Sequence, residues 1–137
     1  MRPELREAVV GWMDRASRDI LAADRSLHGV PRLSEMTAYH AQQAVEKALK
    51  AFITRHQQDF PRSHDLLTLV NRCVAIQPAF EKFRGMARDL NPYVSEFRYP
   101  DGPIAPPDAD AELALELARE LVKFVYDELG LEPRQWG

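Results

Sequence analysis

The 137 residues are enough for one domain and no second, and a chain of this size buries roughly two thirds of its unfolded surface. With 45% apolar and 28% charged residues and a net charge of −3, the composition excludes a disordered or fibrous chain and argues against a generally basic nucleic-acid binder. The single cysteine, Cys73, excludes an intrachain disulfide and a cysteine-based zinc site.

From about Pro3 to His28, Leu5, Ala8, Trp12, Ala16, Ile20, Ala23 and Leu27 recur at three- and four-residue spacing, which predicts a long amphipathic helix. Pro3 suits its first turn, and Gly29 followed by Pro31 stops it. The charged opening MRPELREAVV lacks the continuous apolar region of a signal peptide. No stretch approaches ~18 uninterrupted apolar residues, so no membrane segment is expected and the expected compartment is the cytoplasm.

A second helix is predicted from about Ser34, a candidate N-cap, to about 57. Ala41, Ala44, Val45, Ala48, Leu49, Phe52 and Ile53 form one broad apolar side. Tyr39, Gln43, Glu46 and Lys50 align on the other, with Met36 a turn earlier and Lys47 at the edge. That mixture of an aromatic, an amide, a thioether and ammonium groups suits a partner or ligand surface. It is equally compatible with a solvated face on which Glu46 pairs Lys50 at i, i+4.

A turn at 59–62 leads to a third helix, with Ser63 as candidate cap and Asp65 favouring the N-terminal dipole. Leu66, Leu69, Val70 and Val74 bury it, and Cys73 in the same run reads as a small core residue. Pro78 breaks the run, and Phe80, Phe83, Ala87 and Leu90 continue as a fourth helix with Gly85 as its weak point. Pro92 bends the chain at Asn91.

Between Pro92 and Pro107 lies the least regular segment, PYVSEFRYPDGPIAPP, whose Tyr93, Phe97 and Tyr99 predict a docked loop. Asp108, Asp110 and Glu112 then open a fifth helix with the charge its dipole prefers. Its apolar positions, among them Leu113, Leu117, Leu121 and Phe124, are numerous enough to pack on two sides, and Gly130 ends it. No strand-like alternation is present. The fold class is therefore all-α, a five-helix antiparallel up-and-down bundle, and the spare apolar face of the fifth helix points to a homodimer.

Chemistry has few places to sit. The four histidines include no pair at i, i+4, and there is no Gly-rich phosphate loop or nucleophile elbow, so no metal and no cofactor are expected. His64, between Arg62 and Asp65 at the start of the third helix, either bonds its surroundings or stands beside a phosphate. In EFRYPD, Arg98 offers a fork of donors for phosphate, Tyr99 a stacking face and a hydroxyl, and Asp101 a partner for the guanidinium. With Lys47 and Lys50 these residues suit an anion or nucleotide pocket. Alternatively, Arg98 and Asp101 pin the loop while Tyr99 fills a groove.

Taken together, WMDRASRDILAADRSL, HAQQAVEKALKAFI, RSHDLLTLV and SEFRYPD, in that order, resemble the HEPN family, the higher eukaryotes and prokaryotes nucleotide-binding domain. The resemblance implies a bundle with a four-helix core, here with one extra short helix, that commonly dimerises. It also implies a nucleotidyltransferase partner in a toxin–antitoxin-like arrangement. Some members are metal-independent ribonucleases with an Arg followed, after four to six residues, by a His. Here no His follows His64, and the nearest spacing, Arg32 to His40, lies in the wrong helix. The expectation is a non-catalytic module whose ligand-binding residues are Arg98, Tyr99, Asp101, Lys50, Lys47, Gln43, Tyr39 and His64. The alternatives are a ribonuclease toxin acting on RNA through Arg98 and His64, and a purely structural dimerisation module.

Overall fold

The apolar spacing becomes five α-helices in the computed structural model, which describes residues 1–60 and 62–137. They are α1 (Pro3–His28), α2 (Ser34–Arg55), α3 (Leu66–Ile76), α4 (Arg84–Leu90) and α5 (Asp108–Leu129), with 3₁₀ turns at Pro78–Phe83 and Asn91–Val94. Among the described residues there is no strand, and no helix is long and apolar enough to cross a membrane. The turn expected at 59–62 includes Pro61, which lies outside the described residues.

The helix starts differ in detail from the expected caps. Ser34 is the first helical residue of α2 rather than its cap, and its hydroxyl donates to the Pro106 carbonyl at 2.9 Å. A cap would have kept that hydroxyl on its own helix; here it ties the α1–α2 turn to the Pro-rich loop. Arg32 reinforces the tie by donating to Asp108 at 2.9 Å. On α3 the cap is Asp65, which accepts from the Leu67 amide, while Ser63 accepts from the Asp65 amide one step earlier. The expected fourth helix is divided at Phe83, its first half being 3₁₀. Three residues per turn puts Phe80 and Phe83 on one side, and both bury against Phe124 at ring separations of 5.0 and 5.1 Å.

Helix α2 is the centre of the molecule and packs on α1, α3 and α5. Helix α1 lies antiparallel to it, with Thr37 donating to the Ala23 carbonyl at one end and Lys50 over Trp12 towards the other. Helix α1 is antiparallel to α5 as well, since Tyr126 late in α5 donates to the Met13 carbonyl. The chain leaves α5 through Gly130, whose φ of 65° is the left-handed conformation that glycine adopts without strain.

Phe52 joins α2 to the rest of the core, its ring 4.6 Å from that of Phe80. Cys73 is fully buried and its thiol donates to the Leu49 carbonyl at 3.8 Å. Burial pushes that thiol up to about 12, so it stays protonated and serves as a core residue. On α5 the two-sided pattern is real but unequal: Leu115 and Leu121 are buried, whereas Leu113 is 52% exposed.

Phe52→Ala is expected to destabilise the fold by about 3–5 kcal/mol, and Leu113→Ala by about 0.5 kcal/mol or less. Urea unfolding followed by circular dichroism distinguishes the two.

Candidate functional site

Because α2 is enclosed on most sides, its polar residues are not a solvated face. Glu46, expected opposite the core, is buried, and so is Asp19 of α1. Each carboxylate holds one histidine and one lysine. Asp19 accepts from His40 Nδ1 at 2.8 Å and from Lys47 Nζ at 2.6 Å. Glu46 accepts from His64 Nδ1 at 2.8 Å and from Lys50 Nζ at 3.1 Å. Lys50 also lies over the rings of Trp12 and Phe60, at 5.6 and 5.3 Å. The ammonium groups of Lys47 and Lys50 are thus engaged by carboxylates instead of being open to an anion.

His64 is the exposed member of this network, its side chain 67% accessible while its carboxylate partner is only 5% accessible. With Nδ1 committed to Glu46, Nε2 is the nitrogen turned away from that carboxylate. The backbone beneath is fixed by Gln42, whose amide donates to the His64 carbonyl at 3.3 Å. Gln43 donates in turn to the Gln42 side-chain oxygen at 2.7 Å. Asn91 closes the start of α3, accepting from the Leu66 amide and donating to Asp65, both at 2.7 Å. That bond, then the one from Thr68, holds the Asp65 carboxyl below the usual carboxylate range.

Arg98 reaches α2 from the Pro-rich loop, its guanidinium 5.1 Å from the Tyr39 ring centre. The loop is docked by Tyr93, which stacks on Phe97 at 6.0 Å, and by the Ser34–Pro106 bond. Asp101 forms no ion pair with Arg98 among the described residues. Tyr99 fills no groove: it is 63% exposed.

Tyr39, Glu46 and Lys50 mark points along one side of α2. At 1.5 Å of rise per residue, the anchors of Arg98 and His64 are about 10 Å apart along the axis, and Lys50 lies about 6 Å further. The structure therefore draws Arg98, Tyr39, Gln43, His64 and Lys50 into a row, not a pocket, while Lys47 turns to Asp19 of α1 and Tyr99 and Asp101 stay exposed on the loop. The sequence reading missed Asp19 and His40. Asp19 sits at i+3 from Ala16 and i−4 from Ala23, inside the buried stripe of α1, and a lone carboxylate there is the signal that exposes it. No group of three or more metal-ligating side chains occurs among the described residues.

Comparison with known proteins bears on the fold and the family. The family model described as HEPN domain matches residues 9–129. The chain is similar to the crystal structure of TT1696 from Thermus thermophilus, at 28% identity over 88% of this chain and 97% of that one, with a TM-score of 0.71. No curated protein matches.

Asp19→Ala leaves Lys47 and His40 without their shared carboxylate and is expected to cost about 3 kcal/mol. Removal of the exposed Lys123–Asp127 pair costs under about 1 kcal/mol, so denaturant midpoints separate them. Asp65→Asn keeps the cap but removes a carboxyl whose folded-state value lies below its ordinary 3.8. The stability that this carboxylate adds is complete above that range and is lost as pH falls through the folded-state value. The wild type is therefore expected to exceed Asp65→Asn in stability at neutral pH, with the difference closing on acidification below about 4 when unfolding is measured across pH.

Proposed function

Because the chain belongs to the HEPN domain family, we propose that it is a binding module that takes a nucleotide or another phosphate-bearing ligand along α2. In this reading it acts as a homodimer and together with a nucleotidyltransferase partner. The observation that carries the ligand half is Arg98. Its guanidinium is exposed, has no carboxylate partner among the described residues, and is set on the Tyr39 ring rather than left mobile. A guanidinium that lies over a ring and forms no ion pair keeps its N–H donors for another acceptor, and their planar fork suits a phosphate.

Tyr99, next in sequence and largely exposed, supplies a face on which a base stacks. His64 is the next donor along the row, and Gln43 offers an amide between them. Lys47 and Lys50, held by Asp19 and Glu46, position this face and make no direct contact with the ligand. Asp101, exposed on the same loop, orients the ligand and not the arginine.

One observation favours a second reading, a metal-independent ribonuclease. His64 is oriented through Nδ1 by a buried carboxylate, which is how a histidine is prepared to exchange a proton at Nε2. Arg98 would then stabilise the charge on the phosphorane.

Titration calorimetry with adenosine and guanosine mono-, di- and triphosphates is expected to give binding that weakens about tenfold or more in Arg98→Ala. An absence of heat for every nucleotide with the wild type overturns the ligand reading. RNA cleavage in chelator that vanishes in both Arg98→Ala and His64→Ala replaces it with the ribonuclease.

A further inference from the structure

On the far side of the Pro-rich loop, α4, the 3₁₀ turn Asn91–Val94 and the start of α5 enclose a second feature, independent of the α2 row. A notch of 270 Å³ is floored by Leu90, Ala114 and Leu117, walled by the Tyr93 ring and edged by the exposed Leu113. Asp89 and Asp110 stand on its rim. The volume falls below the roughly 300–1,000 Å³ of small-molecule sites, and suits a single side chain.

Its electrostatics are one-sided. Neither Asp89 nor Asp110, nor Glu96 on the adjoining loop, forms an ion pair among the described residues. The Tyr93 hydroxyl registers the surplus: burial raises it first, and Asp110, Glu96 and Asp89 raise it further. An apolar floor beneath two uncompensated carboxylates matches a side chain with an apolar stem and a cationic head. The stem lies along Leu90 and Leu117 while the head stays at the rim. Arginine fits best, since its planar fork satisfies two carboxylates on different elements and its face packs on a phenol ring. Arginines seated in such notches are frequent anchors of protein interfaces.

We propose that this notch is a docking site for an arginine carried on an apolar segment of a partner protein. Leu113 extends the contact beyond the notch and meets the apolar residues beside that arginine.

The test uses the full chain and a short acetylated, amidated peptide with one arginine between leucines, against the same peptide with citrulline, its neutral isostere. Methyl signals of Leu113 and Leu117 are expected to shift saturably with the arginine peptide. Binding is expected to weaken about tenfold or more with citrulline, and equally in Asp89→Asn and Asp110→Asn. Both aspartates are exposed, so the variants fold, and circular dichroism verifies it. Equal shifts with both peptides, or shifts unchanged in both variants, overturn the proposal. Shifts of the same signals that grow with protein concentration alone assign the notch to a second copy of this chain and overturn it too.

Discussion

Two buried carboxylates organise this bundle. Helix α2 is enclosed by α1, α3 and α5, so a charge on most of its circumference has to be matched inside the protein. Asp19 and Glu46 are matched twice each, by a histidine and a lysine, and three of those four partners come from α2 itself. Burying ions is costly, and an apolar pair of the same size often gives a more stable fold. What the ion pairs do fix is register. Asp19 aligns α1 with both His40 and Lys47, two turns apart, and Glu46 sets the start of α3 against α2 through His64. Sliding either helix by a turn would strand a buried carboxylate, whereas leucines would tolerate the shift.

The same arrangement sorts the basic side chains gathered along α2 by what they are free to do. Lys47 and Lys50 spend their ammonium groups on the fold, and Lys50 is further enclosed by Trp12 and Phe60. His64 spends one nitrogen and keeps the other. Arg98, arriving from a loop, meets an aromatic ring in place of a carboxylate and keeps its donors. The basic groups along α2 therefore form a graded row in which the arginine and the histidine keep free donors and the lysines do not.

Helix number, several helix ends and most of the core were legible in the sequence, because apolar spacing and Pro or Gly punctuation act locally. Pro3, Gly130 and the acidic start of α5 stand where the sequence puts them. The misses are tertiary. Ser34 has the chemistry of a cap but meets Pro106, 72 residues away, and takes that bond instead. Glu46 and Lys50 read as an exposed i, i+4 pair, and they do pair, but under α3 and the Trp12–Phe60 rings. Asp19 was overlooked because one carboxylate in a stripe of alanines and leucines changes the period hardly at all. Arg98 and Tyr99 were visible as a cluster, yet nothing local indicates that Tyr39 rather than Asp101 receives the guanidinium.

The Pro-rich loop has two sides, and that is the consequence of its anchoring. Tyr93 faces the notch and stacks on Phe97, and Phe97 directly precedes Arg98. Prolines at positions 92 and 100 fix φ at both ends of the run that joins them, and the run itself, 93–99, holds none. The Tyr93–Phe97 stack lies between the notch and the guanidinium over Tyr39, which is one residue beyond Phe97. The run from Tyr93 to Arg98 thus contributes one aromatic side chain to the notch and one guanidinium to the α2 row.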